Sequence, residues 1–180
     1  MAAQGHTSSL TELGLTAAGG RDVVIYDLVV DSRAVMPGAL FAALPGLKTH
    51  GASFVDMALA NGAVAILTDA DGARIAADAL ADSDAALIVG QDARATLAQT
   101  ASLWFGAHPP VMVAVTGTNG KTSVSTFARQ IWEVLDLPAI NLGTTGVEGA
   151  WTHPLRHTTP EPITLHLSLI HISVPTRLWS

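Results

Sequence analysis

Two glycines, a lysine and a threonine lie close together at Gly117, Gly120, Lys121 and Thr122, within the sequence TGTNGKTS. Glycines allow backbone N–H groups to turn around phosphate oxygens, and the first turn of a helix presents further N–H groups to the same anion. The Lys121 ammonium can reach terminal phosphates, and the Thr122 hydroxyl can bind Mg²⁺. The residue types and their order therefore predict a phosphate-binding loop.

The elements on either side of this loop are those that a phosphate site requires. The apolar run Val111–Val115 predicts a buried strand that enters the loop, and a helix follows it directly. The glycine spacing is G-x-x-G-K-T, because Val115 occupies the position where the standard pattern has its first glycine. The alternative is a tight strand-to-helix turn that carries Lys-Thr without binding phosphate.

The rest of the chain predicts an α/β protein with two domains. We expect a lead-in over 1–21, a small first domain over 22–91, a connector helix and linker over 92–110, a second domain over 111–166 and a tail over 167–180. The strands expected in the first domain are Val23–Val30, Leu40–Leu44, Ala63–Thr68 and Ala85–Val89. A helix from an N-cap at Ser53 to Ala60 is expected in this domain, with a weaker helix or loop over 71–84. Asp92 is expected to cap the connector helix, which runs to Phe105.

The second domain is expected to begin a parallel sheet. After the loop, an apolar stripe with helical spacing predicts core residues at Val124, Phe127, Ala128, Ile131, Val134 and Leu135. Pro138 ends that helix, and Ala139–Leu142 predicts the next strand of a right-handed βαβ unit. This domain is short for a nucleotide-binding fold, so we expect it to be truncated in this chain.

Composition excludes several classes of protein. The chain has 180 residues, of which 49% are hydrophobic and 13% charged, so a sizeable core is expected. The net charge of −6 and the lack of a basic cluster argue against nucleic acid as a partner. The absence of cysteine excludes disulfides and thiolate sites, and no apolar run is long enough to insert into a membrane. We expect a cytoplasmic monomer. Five aspartates predict a solvated face: Asp69, Asp71, Asp78, Asp82 and Asp84.

Three stretches resemble the Mur ligases of peptidoglycan synthesis. Residues Thr116–Thr122 are similar to the ATP-binding signature of that family, which folylpolyglutamate and cyanophycin synthetases share. Residues Asp31–Arg33, Pro37–Ala43 and Gly51–Phe54 resemble the D-S-R, P-G-D-L-F-V-A and G-x-x-F elements of the uridine-binding domain. Residues His157–Pro162 resemble the T-T-P-x-P element of the MurE type, which adds the third residue to UDP-N-acetylmuramoyl-L-alanyl-D-glutamate. The resemblance ends near His166.

The resemblance implies a fold, a set of ligands and the residues that bind them. It implies a uridine-binding α/β domain followed by a P-loop ATPase domain with a parallel sheet, and it implies ATP and Mg²⁺ as cofactors. Lys121 would be catalytic and Thr122 would bind the magnesium. The ATP-binding residues would be Gly117, Thr118, Asn119, Gly120, Lys121, Thr122 and Ser123. The residues contacting the UDP-N-acetylmuramoyl-dipeptide would be Val30, Ser32, Leu47, Lys48, Thr49, Thr158 and Thr159.

The implied reaction is ATP-dependent amide formation through an acyl phosphate, with meso-diaminopimelate or lysine as the incoming amino acid. Phosphoryl transfer needs positioning and charge neutralisation more than a nucleophilic side chain, which agrees with the absence of cysteine. Two alternatives remain open from the residues. One is another P-loop NTPase or kinase, and the other is a fragment that binds the sugar nucleotide without turnover. For Asp31 and Ser32, the alternative is that they only cap a turn.

Overall fold

The chain forms two compact units, Met1–Trp104 and Phe105–Ser180. The computed structural model describes residues 6–106, 108–152 and 161–173, and it describes residues 171–173 by their backbone alone. Among these residues, no helix is both long and apolar enough to cross a lipid bilayer. The strands of the first unit are β1 (Ser8–Ser9), β2 (Val24–Ile25), β3 (Asp27–Val29), β4 (Ala39–Ala42), β5 (Ala65–Thr68) and β6 (Ala86–Val89). Its α-helices are α1 (Val55–Ala60), α2 (Ala70–Ile75), α3 (Ala77–Ala81) and α4 (Ala93–Phe105).

A parallel sheet with the strand order β3-β4-β5-β6 forms the centre of the first unit. Every residue of β4 and β5 is buried, as expected for strands covered on both faces. Successive side chains point to opposite faces, so Phe41 and Ile66 join a core with Val55 and Ala58 of α1. The α/β class with a parallel sheet is thus confirmed. The carboxyl ends of all four strands lie along one edge of this sheet.

Two sequence expectations in this unit are wrong. The run Val23–Val30 is not one strand, because β2 pairs antiparallel with β1 whereas β3 pairs parallel with β4. The chain changes partner at Tyr26, whose N–H donates to the carbonyl of Gly38. Ser53 is not a helix N-cap either. A 3-10 helix over Gly51–Phe54 precedes α1, and the side chain of His50 caps it by accepting from the N–H of Ala52.

In the described part of the second unit, the chain forms two helices and a hairpin. Its elements are α5 (Lys121–Val134), β7 (Ile140–Gly143), β8 (Gly146–Gly149) and α6 (Pro162–Ser173). β7 pairs antiparallel with β8, so the parallel βαβ arrangement expected here is not what the described residues form. Residues 111–115 are not a strand. A strand needs hydrogen-bonded neighbours, no described segment pairs with this run, and Val111, Met112 and Val113 are exposed.

The apolar face of α5 is also exposed rather than buried. Phe127 and Ile131 are 61% and 60% exposed, and Val124, Val134 and Leu135 are exposed with them. The predicted helix is confirmed, but the prediction that this stripe is core is wrong for the described chain. A polar contact joins α5 to the hairpin: Arg129 Nε donates to Asn141 Oδ1 of β7 at 2.7 Å. Asn141 is buried, so this bond satisfies a polar group that water cannot reach.

The exposure of this helix face predicts that the unit tolerates polar residues there. We expect the double variant Phe127→Ser, Ile131→Ser to change the free energy of unfolding by less than about 1 kcal/mol, since neither side chain leaves a core. Val147→Ala is the matched control, because Val147 is 1% exposed and its truncation should cost about 2 kcal/mol. Urea denaturation of each variant compares them. Equal losses in both would show that the α5 face is buried in solution.

We expect His166 to make the stability of the second unit depend on pH. Its buried ring stacks on Phe105 with centroids 5.8 Å apart, and the ring of His108 meets it edge-on at 5.3 Å. Within the described residues, His166 Nδ1 has no hydrogen-bond partner. Burial, and secondarily the neighbouring His108, lower the pKa of His166 below its ordinary value.

We therefore expect stability to fall as the pH decreases through the ordinary histidine pKa of about 6.5, because the unfolded chain then takes up a proton that folding must remove. Above that pH, His166 is neutral in both the folded and the unfolded chain, so it does not make the free energy of unfolding depend on pH. Thermal unfolding between pH 8 and pH 5 should show the loss, and His166→Phe should reduce it. An unchanged pH slope in the variant would contradict this expectation.

Candidate functional site

The loop over Gly117–Gly120 leads directly into α5. Gly120 has φ of +79° at the N-cap position of α5, a left-handed conformation that favours glycine. No described side chain caps the helix, so among these residues nothing but backbone could satisfy its first-turn N–H groups. Lys121 folds back over the loop, where its Nζ donates to the carbonyl of Gly117 and, at 3.3 Å, to that of Thr118. A cation and a helix N-terminus are thus brought together in one exposed loop.

This loop fits a nucleotide phosphate and its metal. Within the described chain, the Lys121 ammonium is bonded only to loop carbonyls and forms no ion pair with a carboxylate. Phosphate oxygens could therefore replace those carbonyls as its hydrogen-bond acceptors. A Cβ added at Gly120 would meet nothing within 4 Å. The position therefore favours glycine because of its left-handed φ, and not because a side chain would clash. Thr122 is exposed in the first turn of α5, where its hydroxyl could bind Mg²⁺ beside a phosphate.

The Asp31–Arg33 segment follows β3 at the carboxyl edge of the parallel sheet. Asp31 accepts from the Arg33 backbone N–H at 3.0 Å, and the Arg33 guanidinium binds both carboxylate oxygens of Asp31, which raises the pKa of Arg33. Asp31 therefore caps a 3-10 helix over Ser32–Ala34. Ser32 is 7% exposed, and its Oγ lies 3.5 Å from the Sδ of Met57. That weak acceptor leaves the hydroxyl with most of its hydrogen-bonding capacity.

The loop after β4 carries the other predicted substrate residues. Because β3 and β4 are parallel neighbours, the Val30–Ser32 segment and the Leu47–Thr49 loop lie at the same edge of the sheet. Leu47, Lys48 and Thr49 are exposed, and Leu47 is fully so. No described residue covers the Leu47 side chain or the Lys48 ammonium, so both are available to a ligand. Thr158 and Thr159 lie outside the described residues, so their prediction stays a prediction.

Four residues that support this edge were not anticipated. Asn61 Nδ2 donates to the Ser32 carbonyl at 3.0 Å, and the Arg94 guanidinium donates to the Pro45 carbonyl. His50 and Asp69 bond to each other across the ends of β4 and β5, at 3.1 Å. Asp69 was expected on a solvated face, yet it caps α2 and is tied to His50. Their partners lie 19 to 49 residues away in sequence, so local spacing carries no signal for them.

Comparison with known proteins finds one family domain in each part of the chain. The model described as "Mur ligase family, catalytic domain" matches residues 24–105, and "Mur ligase middle domain" matches residues 115–174. The second match extends beyond His166, where the motif resemblance ends. The chain is similar to the UDP-N-acetylmuramoyl-L-alanyl-D-glutamate--2,6-diaminopimelate ligases of Brucella melitensis and Agrobacterium fabrum. Identity is 44% over 153 residues and 39% over 165, or 84% and 91% of this chain.

Solved structures show the same likeness. A structure of UDP-N-acetylmuramoyl-L-alanyl-D-glutamate--2,6-diaminopimelate ligase superposes with a TM-score of 0.69 and 25% identity, over 93% of this chain and 34% of that one. MurF from Acinetobacter baumannii shares the fold with a TM-score of 0.54 and 20% identity, over 92% and 32%. The chain spans about 30% of the length of the two curated relatives. With two family domains matched in order and relatives of this identity, the chain belongs to the Mur ligase family.

Proposed function

We propose that this chain provides the sugar-nucleotide-binding domain and the ATP-binding loop of a ligase that adds 2,6-diaminopimelate to UDP-N-acetylmuramoyl-L-alanyl-D-glutamate. The observation that carries the proposal is the loop before α5, where Lys121 lies over carbonyls at an uncapped helix N-terminus. The choice of diaminopimelate, which the motifs left open against lysine, rests on the names of the relatives.

In this proposal the second unit binds ATP. The Lys121 ammonium leaves the carbonyls of Gly117 and Thr118 for the phosphate oxygens, and the first-turn N–H groups of α5 donate to the same anion. The Thr122 hydroxyl would hold Mg²⁺, which neutralises charge on the phosphates when bound. These groups stabilise the transfer of the γ-phosphoryl group to a substrate carboxylate, which gives an acyl phosphate and ADP. The amine of diaminopimelate then displaces phosphate and forms the amide.

The first unit would bind the uridine diphosphate part of the other substrate. Ser32 and the Val30 backbone lie at the end of β3, and Lys48 in the neighbouring loop would contact the diphosphate as a cation. Leu47, which is fully exposed, would contact an apolar part of the nucleotide. Thr158 and Thr159 are proposed to contact the sugar nucleotide as well. We also propose how the chain divides: a sugar-nucleotide-binding domain over 22–91, a connector over 92–110 and an ATP-binding part over 111–166.

A chimeric ligase tests the proposal. Residues 1–166 of this chain would replace the matching segment of the Brucella melitensis relative, and ADP release would be followed with the UDP-linked dipeptide and an amino acid. We expect turnover that requires diaminopimelate and is lost in the Lys121→Ala chimera. Turnover with lysine but not diaminopimelate would overturn the amino-acid assignment. Phosphate release that needs neither substrate would favour a general NTPase.

A further inference from the structure

The loop that carries Leu47, Lys48 and Thr49 is closed at its base by backbone contacts. The N–H of Gly51 donates to the Leu44 carbonyl at 2.8 Å, and a Cβ at Gly51 would lie 2.8–2.9 Å from backbone atoms of Ala43 and Leu44. The turn itself is equally tight, because a Cβ at Gly46 would lie 2.4 Å from the Thr49 carbonyl oxygen. The base is thus defined, whereas the three side chains at the tip are exposed and have no side-chain hydrogen bond or ion pair with a described residue.

His50 is the side chain that joins this loop to the rest of the sheet edge. Its Nδ1 accepts from the Ala52 N–H at 3.0 Å, which places the ring proton on Nε2. Nε2 then donates to Asp69 Oδ1 at 3.1 Å, and the same oxygen accepts from the Gly72 N–H at 2.8 Å. The hydrogen bond from the Gly72 N–H is the main cause that lowers the pKa of Asp69, and the bond from His50 adds to it, so the carboxylate stays ionised. Both side chains are mostly buried, at 14% and 25% exposed.

We propose that His50 is a positioning residue for the sugar-nucleotide substrate, acting through Asp69 to hold the Leu47–Thr49 loop in its binding conformation. His50 touches no reacting atom in this proposal. It ties the end of β4 to the end of β5 directly beside three residues whose side chains are free for a ligand. A loop that is already ordered loses less conformational entropy when it binds. Loss of the His50–Asp69 hydrogen bond should therefore weaken substrate binding, and not only lower the stability of the unit. The inference rests on the proposed function.

Two substitutions of His50 separate its two hydrogen bonds. In His50→Asn the side-chain oxygen can still accept from the Ala52 N–H but cannot reach Asp69, whereas in His50→Gln the amide can still donate to Asp69. We expect the dissociation constant of the UDP-linked dipeptide, measured by calorimetry on the 180-residue chain, to rise about tenfold in His50→Asn. His50→Gln should restore most of the affinity. Asp69→Ala should weaken binding similarly, and the double variant His50→Asn, Asp69→Ala no further.

The controls separate each way in which the inference could fail. ATP·Mg²⁺ affinity should be unchanged in every variant, which shows that the second unit remains folded. Circular dichroism checks the first unit. If the wild-type chain does not bind the UDP-linked dipeptide, the proposed function fails. If the wild type binds and Lys48→Ala weakens binding, but His50→Asn binds normally or the two losses add in the double variant, the positioning role is overturned while the proposed function stands.

Discussion

Lys121→Ala is expected to weaken ATP·Mg²⁺ binding to the 180-residue chain by about 10- to 100-fold, the loss typical of a charge-assisted hydrogen bond. The ammonium is the lysine group of the loop, and among the described residues it bonds only to the carbonyls of Gly117 and Thr118. An anion that displaces those carbonyls exchanges a neutral acceptor for a charged one. Isothermal titration of wild type and variant with ATP·Mg²⁺ measures the effect.

The chain offers a matched control, because Lys48 and Lys121 are its only lysines. Lys48→Ala changes the net charge by the same amount but lies in the first unit, so its affinity for ATP·Mg²⁺ should equal that of the wild type. An equal loss in both variants would mean that general electrostatic attraction, not the loop, binds the nucleotide. ATP binding that is unaffected by Lys121→Ala would show that Gly117–Thr122 is only a tight turn.

Gly72→Ala is expected to destabilise the first unit by about 3 kcal/mol and to weaken binding of the UDP-linked dipeptide. An added Cβ would lie 1.9 Å from Thr68 Oγ1 and 2.6 Å from His50 Cε1. Thr68 is fully buried and donates to the Ala43 carbonyl at 2.8 Å, so it cannot move away without leaving that carbonyl unsatisfied. One methyl group therefore disturbs both the end of β5 and the His50–Asp69 bond.

Gly143→Ala is the control for this substitution. A Cβ there would meet nothing within 4 Å, and the φ of Gly143 lies outside the left-handed region, so we expect a change within about 0.5 kcal/mol. Urea denaturation gives both values. A stability of Gly72→Ala equal to that of the wild type would contradict the packing described at the end of β5. It would also weaken the argument that Asp69, Gly72 and His50 act together.

The elements that local sequence determines were predicted well. Strands β4, β5 and β6 and helices α4 and α5 lie where apolar periodicity, glycines and prolines indicated, because those signals act within one element. The Gly117–Thr122 turn could be read for the same reason, since backbone freedom at Gly120 and the reach of Lys121 are local properties. The resemblance of three short stretches to Mur ligases was confirmed by the family matches.

The features that depend on tertiary partners were not predictable. The stripe on α5 specifies an apolar face, but periodicity does not say whether anything covers Phe127 and Ile131, and no described residue does. The role of Asp69 was missed because its partner His50 is 19 residues away and reaches it only through the pairing of β4 with β5. Ser53 is of a residue type that commonly caps helices. The cap is instead the His50 imidazole, which accepts a hydrogen bond from the Ala52 N–H at the turn that contains Gly51.

The most direct test of the central claim is calorimetric titration of the 180-residue chain with UDP-N-acetylmuramoyl-L-alanyl-D-glutamate, in wild type, Lys48→Ala and Lys121→Ala. The claim is that the carboxyl edge of the four-stranded sheet binds the sugar nucleotide. It predicts saturable one-to-one binding that uridine diphosphate displaces, that Lys48→Ala weakens and that Lys121→Ala leaves unchanged. Absence of binding to the folded wild-type chain, or a loss in Lys121→Ala but not in Lys48→Ala, would contradict it.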